Sequence, residues 1–379
     1  MYEAIVGFIR GIYGGRKNIP LHEPCFSGRE KSYVSDTIDT SFVSSVGEYV
    51  NRFEKDIASF CGAKFAVATV NGTAALHMAL KLSGTGTGDE VLTQPLTFVA
   101  TANAISYTGA LPVFIDVDRD TLGLSPEKLA DFLKVNAVLR KGGAFNRKTG
   151  RRFSACVPMH TFGHPCRINE LSAICGKYGI TLVEDAAESL GSLYRGKHTG
   201  MFGKAGVLSF NGNKIITTGG GGMIITDDAN FAKKAKHITT TAKIPHKWEY
   251  VHDETGYNYR LPNINAALGC AQLEQLEGFI MEKRRLAGAY GAYFEGVGIK
   301  FVTEPKHARS NYWLNAILLK NRAERNRFLL YSNSNGVMTR PAWRLMNKLK
   351  MYKSCQCGDL ENANWLEDRI VNIPSSVTK

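Results

Sequence analysis

A chain of 379 residues, 44% hydrophobic and 21% charged, can bury a large core and exceeds the usual size of one compact domain, so two unequal lobes are expected. The formal charge of +13 at pH 7 favours an anionic partner. Its lysines and arginines are spread along the chain, with no interleaved basic and aromatic ribbon. That distribution argues against nucleic acid and for a phosphorylated or nucleotide-linked small molecule.

The eight cysteines lack the spacing of a disulfide framework and no secretory signal precedes them, so a reducing, cytoplasmic setting is expected. Cys355 and Cys357 form a close pair without Cys or His partners at zinc spacing, and no metal site is expected. The opening segment, with Ala4, Ile5, Val6, Phe8 and Ile9, is too short to cross a bilayer. It reads as a docking helix.

From Lys64 onward, short apolar runs alternate with helical patterns, the signature of crossover units and a mostly parallel sheet. The spacing predicts strands over 65–70, 90–93, 111–116, 155–159, 180–184, 206–210 and 223–226. Helices are expected after Asn71-Gly72-Thr73 and over 168–178, where Ile168, Leu171, Ile174 and Cys175 recur at helical spacing. After about Lys243 the rhythm changes to one long helical pattern over 264–293, a strand over 312–319 and a helix near 325–331. The expected division is 1–250 for an N-terminal segment and large domain, and 251–379 for a small C-terminal α/β domain, with the site between them. No repeat or flexible tether separates the lobes.

Three features follow one another: Asp185 at a strand end in Val183-Glu184-Asp185-Ala186-Ala187-Glu188-Ser189, then Ser209-Phe210-Asn211-Gly212-Asn213-Lys214, then Thr218 and four glycines. Each alone is weak, since an Asp at such a place caps helices and a loop Lys usually faces water. Together they meet the needs of pyridoxal phosphate. Its ring is an electron sink only while the pyridine nitrogen stays protonated beside a carboxylate, a part suited to Asp185. Its aldehyde needs an amine that forms and exchanges a Schiff base and then shuttles a proton, a part suited to Lys214. Its phosphate needs N–H groups at a helix N-terminus and hydroxyl donors, and Gly72, Thr73 and Ser209 match.

At these residues the sequence resembles the DegT and StrS type sugar aminotransferases over nearly its whole length. The similarity is closest to the LegC-like aminotransferases of legionaminic acid and bacillosamine type pathways. It runs through Ile19-Pro20-Leu21-His22-Glu23-Pro24, Phe42-Val43-Ser44-Ser45-Val46-Gly47, Asn71-Gly72-Thr73-Ala74-Ala75-Leu76 and Asn372-Ile373-Pro374-Ser375-Ser376. The resemblance implies the type I fold of pyridoxal-phosphate transferases: a mostly parallel mixed sheet between helices, plus a smaller C-terminal α/β domain. It also implies that Thr73 and Ser209 bind phosphate, that Phe98 stacks on the cofactor ring, and that Asn258 reaches the phosphate of a neighbouring subunit in a homodimer with shared sites. Glu188 stands where many relatives have Gln near the ring hydroxyl, and its protonation is open. His160 and His164 match a family stretch and read as structural.

The expected reaction moves an amino group, from glutamate by resemblance, onto the cofactor as pyridoxamine phosphate. It then passes to C4 of a UDP-linked 4-keto-6-deoxy-N-acetylhexosamine, for bacterial surface-glycan synthesis. Ser44, Arg260 and Arg340 are the candidate sugar or diphosphate contacts. A sugar dehydratase on the same scaffold is the alternative, although relatives associated with that reaction carry His in place of the lysine. A non-catalytic cofactor-binding regulator would not need lysine, acid and phosphate donors complete together.

Overall fold

The apolar runs become strands because both of their faces find cover. In the computed structural model, which describes residues 1–378, the large sheet contains β1 (Phe65–Thr69), β2 (Glu90–Thr93), β3 (Leu111–Phe114), β4 (Phe153–Val157), β5 (Thr181–Asp185), β6 (Ala205–Ser209) and β7 (Gly222–Thr226). Every residue of β2, β4 and β7 is buried, as expected of strands with helices on both sides. The spatial order is β1-β7-β6-β5-β4-β2-β3. Only β7 runs against its two neighbours. The remaining pairs are parallel, so the C-terminal ends of β2 to β6 open on one edge.

The helix Gly72–Leu82 follows β1 and begins at that edge. Asn71 starts it by accepting the Ala74 N–H through its side-chain oxygen at 2.7 Å. Ala75, Leu76, Met78 and Ala79 then pack over Val67, Val183 and Val207, which fixes the helix against the sheet and aims its N-terminus at the ends of β5 and β6.

A second sheet runs Lys300–Phe301, Asn315–Leu318, Ile370–Ile373, Arg340–Pro341 in spatial order. The helix Leu276–Gly296 shares a core with it through Leu286, Ala287, Tyr290 and Phe294. The opening segment forms the helix Tyr2–Ile12, whose buried Ile5, Val6 and Ile9 join this C-terminal core. Among the described residues no helix is long and apolar enough to cross a membrane.

Two expectations are corrected. The long helical pattern over 264–293 is two helices, Asn263–Leu273 and Leu276–Gly296, because the joint is pinned: Gln272 and Gln275 both donate to Glu30, at 2.7 and 2.6 Å. The strand expected over 312–319 begins only at Asn315, because Tyr312 has φ +48° and turns the chain before it can pair.

Gly206 of β6 lies against the backbone of Gly200, and a Cβ at 206 would stand 2.3 Å from the Gly200 carbonyl oxygen. Backbone cannot swing aside as a side chain can. Gly206→Ala should therefore cost about 1–3 kcal/mol, read as a lower denaturant midpoint with unchanged slope. A wild-type midpoint would contradict this packing.

Candidate active site

Strand alternation places Glu184 and Asp185 on opposite sides of β5. Glu184 faces inward to protein, where it accepts from the N–H groups of Gly200 at 2.8 Å and Gly203 at 2.9 Å and contacts His160 Nε2 at 3.1 Å. Asp185 lines a cavity of about 310 Å³ at the edge where β5 and β6 end. Its carboxylate accepts from the Thr101 hydroxyl at 2.7 Å and the Ala187 N–H at 3.2 Å. Burial raises its pKa, against the opposing pull of those two donors and of Lys214 and His160. Both of its direct donors are neutral, and among the described residues it forms no ion pair.

Lys214 follows β6 in a turn closed by its N–H donating to Asn211 O at 2.9 Å. Its Nζ reaches the same cavity, 3.4 Å from Glu188 Oε1 and 3.9 Å from the centre of the Trp313 ring. Glu188 is 3% exposed and accepts the Phe162 N–H at 2.8 Å. Burial raises its pKa, while Lys214 and the Phe162 N–H act the other way. A Glu188 carboxyl that keeps its proton can donate to an anionic oxygen that a carboxylate would repel.

The anion end of the cavity is formed by the start of the helix Gly72–Leu82. Asn71 occupies the Ala74 N–H, leaving those of Gly72 and Thr73 without intrahelical partners. A Cβ on residue 72 would come within 2.9 Å of Ser209 Cβ, so glycine is what lets the helix and β6 close around a small group. Phe98, 49% exposed, stands at the cavity with Trp343, their ring centres 6.4 Å apart. Trp343 also packs on Phe162 at 5.1 Å.

Gly72, Thr73, Phe98, Asp185, Glu188, Ser209 and Lys214 thus line one cavity. Ser44, Asn258, Arg260 and Arg340 do not. Arg260, expected as a sugar or diphosphate contact, is 7% exposed and its guanidinium donates to Glu54 Oε1 at 2.6 Å, an internal ion pair. Arg340 donates to Asn333 Oδ1 at 3.2 Å and Thr339 O at 3.1 Å. Ser44 is exposed, with its carbonyl accepting the Asn263 N–H at 2.6 Å. Asn258 is exposed in a bridge with Thr240. His160 belongs to the buried Glu184 network, and His164 packs edge-on against Tyr312 at 5.2 Å. Trp313 and Trp343 were not foreseen, because they arrive from about 100 residues further along with no local motif to mark them.

A profile of the DegT/DnrJ/EryC1/StrS aminotransferase family matches residues 24–378, and the chain belongs to that family. It is 35% identical to the GDP-perosamine synthase of Escherichia coli O157:H7 over 361 residues, 95% of this chain and 93% of that protein. It is 38% identical to the putative pyridoxal phosphate-dependent aminotransferase EpsN of Bacillus subtilis, over 89% of this chain and 84% of that one. Among solved structures, the aminotransferase TlmJ of Streptoalloteichus hindustanus superposes with a TM-score of 0.85 at 26% identity, covering 94% and 93% of the two chains. The fold is that of type I pyridoxal-phosphate transferases, and the cofactor is pyridoxal phosphate.

The residues present fit that cofactor. Among the described residues the buried Asp185 forms no ion pair, and a protonated ring nitrogen would supply one. The helix start and Ser209 are chemically suited to its phosphate. An acid whose pKa is raised on folding binds more protons folded than unfolded, so the cofactor-free protein loses stability as pH rises from the ordinary carboxylate range through the raised value. Asp185→Asn removes that loss. At pH 7 the cofactor-free variant should be more stable than wild type and should fail to retain the cofactor in dialysis. A variant that is less stable yet retains cofactor normally would contradict the assignment.

Proposed function

We propose that this chain is a nucleotide-sugar aminotransferase that takes an amino group from glutamate and delivers it to C4 of a UDP-linked 4-keto-6-deoxy-N-acetylhexosamine. The observation that carries the reading is the amine of Lys214, 3.4 Å from Glu188 and in one cavity with Asp185. Pyridoxal phosphate, when bound, supplies an electron sink that lets nitrogen pass between amino and keto carbons. Asp185 keeps the ring nitrogen protonated. Lys214 Nζ anchors the cofactor and serves as acid and base at the carbon that gains or loses a proton. Glu188 orients the ring oxygen, and Gly72, Thr73 and Ser209 hold the phosphate. Phe98 covers one face of the ring.

The sugar class is supported by the resemblance through 19–24, 42–47, 71–76 and 372–376. The Escherichia coli relative is named for GDP-perosamine, and this makes a GDP-linked keto sugar the second reading. The active unit in this proposal is a homodimer, with Asn258 directed at the neighbouring copy's phosphate. Two facts support it: among the described residues that line the cavity, Lys214 is the one Lys or Arg, and Trp248 and Tyr250 are 71% and 82% exposed on the segment just before Asn258. Charge for a nucleotide diphosphate then comes from the second copy.

Glutamate should bleach the visible band of the purified protein and yield 2-oxoglutarate, and Lys214→Ala should abolish turnover. In a panel of keto sugars, kcat/KM should favour the UDP over the GDP form by at least about tenfold. A preference for GDP would overturn the nucleotide assignment. No visible band after reconstitution would overturn the whole reading.

A further inference from the structure

Two stretches that stand out in the sequence, 19–24 and 372–376, line no part of the cavity, yet they meet directly behind it. The Ser375 N–H donates to Leu21 O at 2.7 Å, and the Glu23 N–H donates to Ser376 Oγ at 2.9 Å. What they enclose is Lys283, on the helix Leu276–Gly296. It is 0% exposed and forms no ion pair with a carboxylate among the described residues. Its Nζ donates instead to two main-chain carbonyls, Trp313 O at 3.1 Å and Ser375 O at 2.5 Å.

Burying an amine without a counter-ion is costly, and an apolar side chain of equal length would pack there at less expense. Burial pushes this amine down to about 7. His22 is the titratable neighbour from the 19–24 stretch; burial and then the charges of Lys283 and Lys214 hold its pKa well below the usual value, against the opposing pull of the Asn213 main chain. Lys283 therefore gains nothing from an acid nearby. Its polar contacts are with the main-chain carbonyls of Trp313 and Ser375.

Trp313 is the link to the chemistry. Its N–H donates to Asn311 Oδ1 at 2.8 Å, and Asn311 Nδ2 donates in turn to Glu188 O at 3.0 Å. Its indole N–H donates to Asn213 O at 2.7 Å, one residue before Lys214, and the ring lies 3.9 Å from the Lys214 amine. The preceding residue, Tyr312, is held at φ +48°, a conformation that persists only under restraint from its surroundings.

We propose that Lys283 is a positioning residue for the transamination: by clasping the Trp313 carbonyl to the C-terminal segment, it holds the indole against the Lys214 amine and keeps the Lys214 and Glu188 turns in register. The proposal rests on the reading of Lys214 as the lysine that carries the cofactor. Releasing the clasp lets the Tyr312 turn relax and shifts the indole, and a displacement of about 1 Å near reacting atoms can cost about 100-fold in rate.

The test uses the full chain loaded with pyridoxal phosphate, comparing Lys283→Met, Lys283→Gln, Trp313→Phe and the Met/Phe double variant. Lys283→Met should shift the pH midpoint of the visible band and lower kcat about 10- to 100-fold with KM for glutamate little changed. Lys283→Gln keeps N–H donors without the charge and should restore most of both. In the Trp313→Phe background, Lys283→Met should add little, the sign that one acts through the other. Wild-type midpoint and kcat in Lys283→Met, or an equal loss in both backgrounds, would overturn the proposal. Should Lys283→Met not fold, a wild-type midpoint and kcat in Trp313→Phe would overturn it as well. Retention of the band by Lys214→Ala would instead sink the reading of Lys214, whereas normal behaviour in Lys283→Met sinks this inference alone.

Discussion

A buried carboxylate without a full complement of donors faces a cavity that also receives a lysine amine. Asp185 and Lys214 can meet there because β5 and β6 are parallel neighbours whose C-terminal ends share one edge of the sheet. That direction is fixed by the crossover connections, and it brings the start of the helix after β1 to the same edge. The raised pKa of Asp185 is a cost of folding, and a cation held against its carboxylate offsets it. Stability is given up at the place where binding restores it.

The cavity wall is completed from the far end of the chain. Trp313 and Trp343 belong to the segments around the second sheet, and Leu21, Ser375 and Lys283 are joined by hydrogen bonds to one another and to the Trp313 carbonyl. The first helix joins the same C-terminal core. The large sheet thus supplies the charged groups, and the C-terminal segments supply the aromatic surface that faces them.

Much of this arrangement was legible because it is local. The run from Val183 to Ser189 carries both the strand that buries Asp185 and the turn that carries Glu188, and Asn71-Gly72-Thr73 carries a cap, a close-approach glycine and the helix start together. What was not legible is set by pairing across long separations. Nothing near Arg260 announces that Glu54, 206 residues earlier, will take its guanidinium. Likewise the apolar periodicity through 264–293 continues across a joint that only Glu30, some 240 residues away, fixes in place. Tyr312 delays the start of its strand to Asn315 through backbone conformation, which a β-prone sequence does not reveal.

The identity of the amine that carries the cofactor is the claim on which the site depends. Borohydride reduction of the loaded enzyme, followed by proteolysis and peptide mass mapping, tests it directly. The account predicts one pyridoxyl-modified residue, Lys214. Modification at another lysine, with Lys214 recovered unmodified, would contradict it.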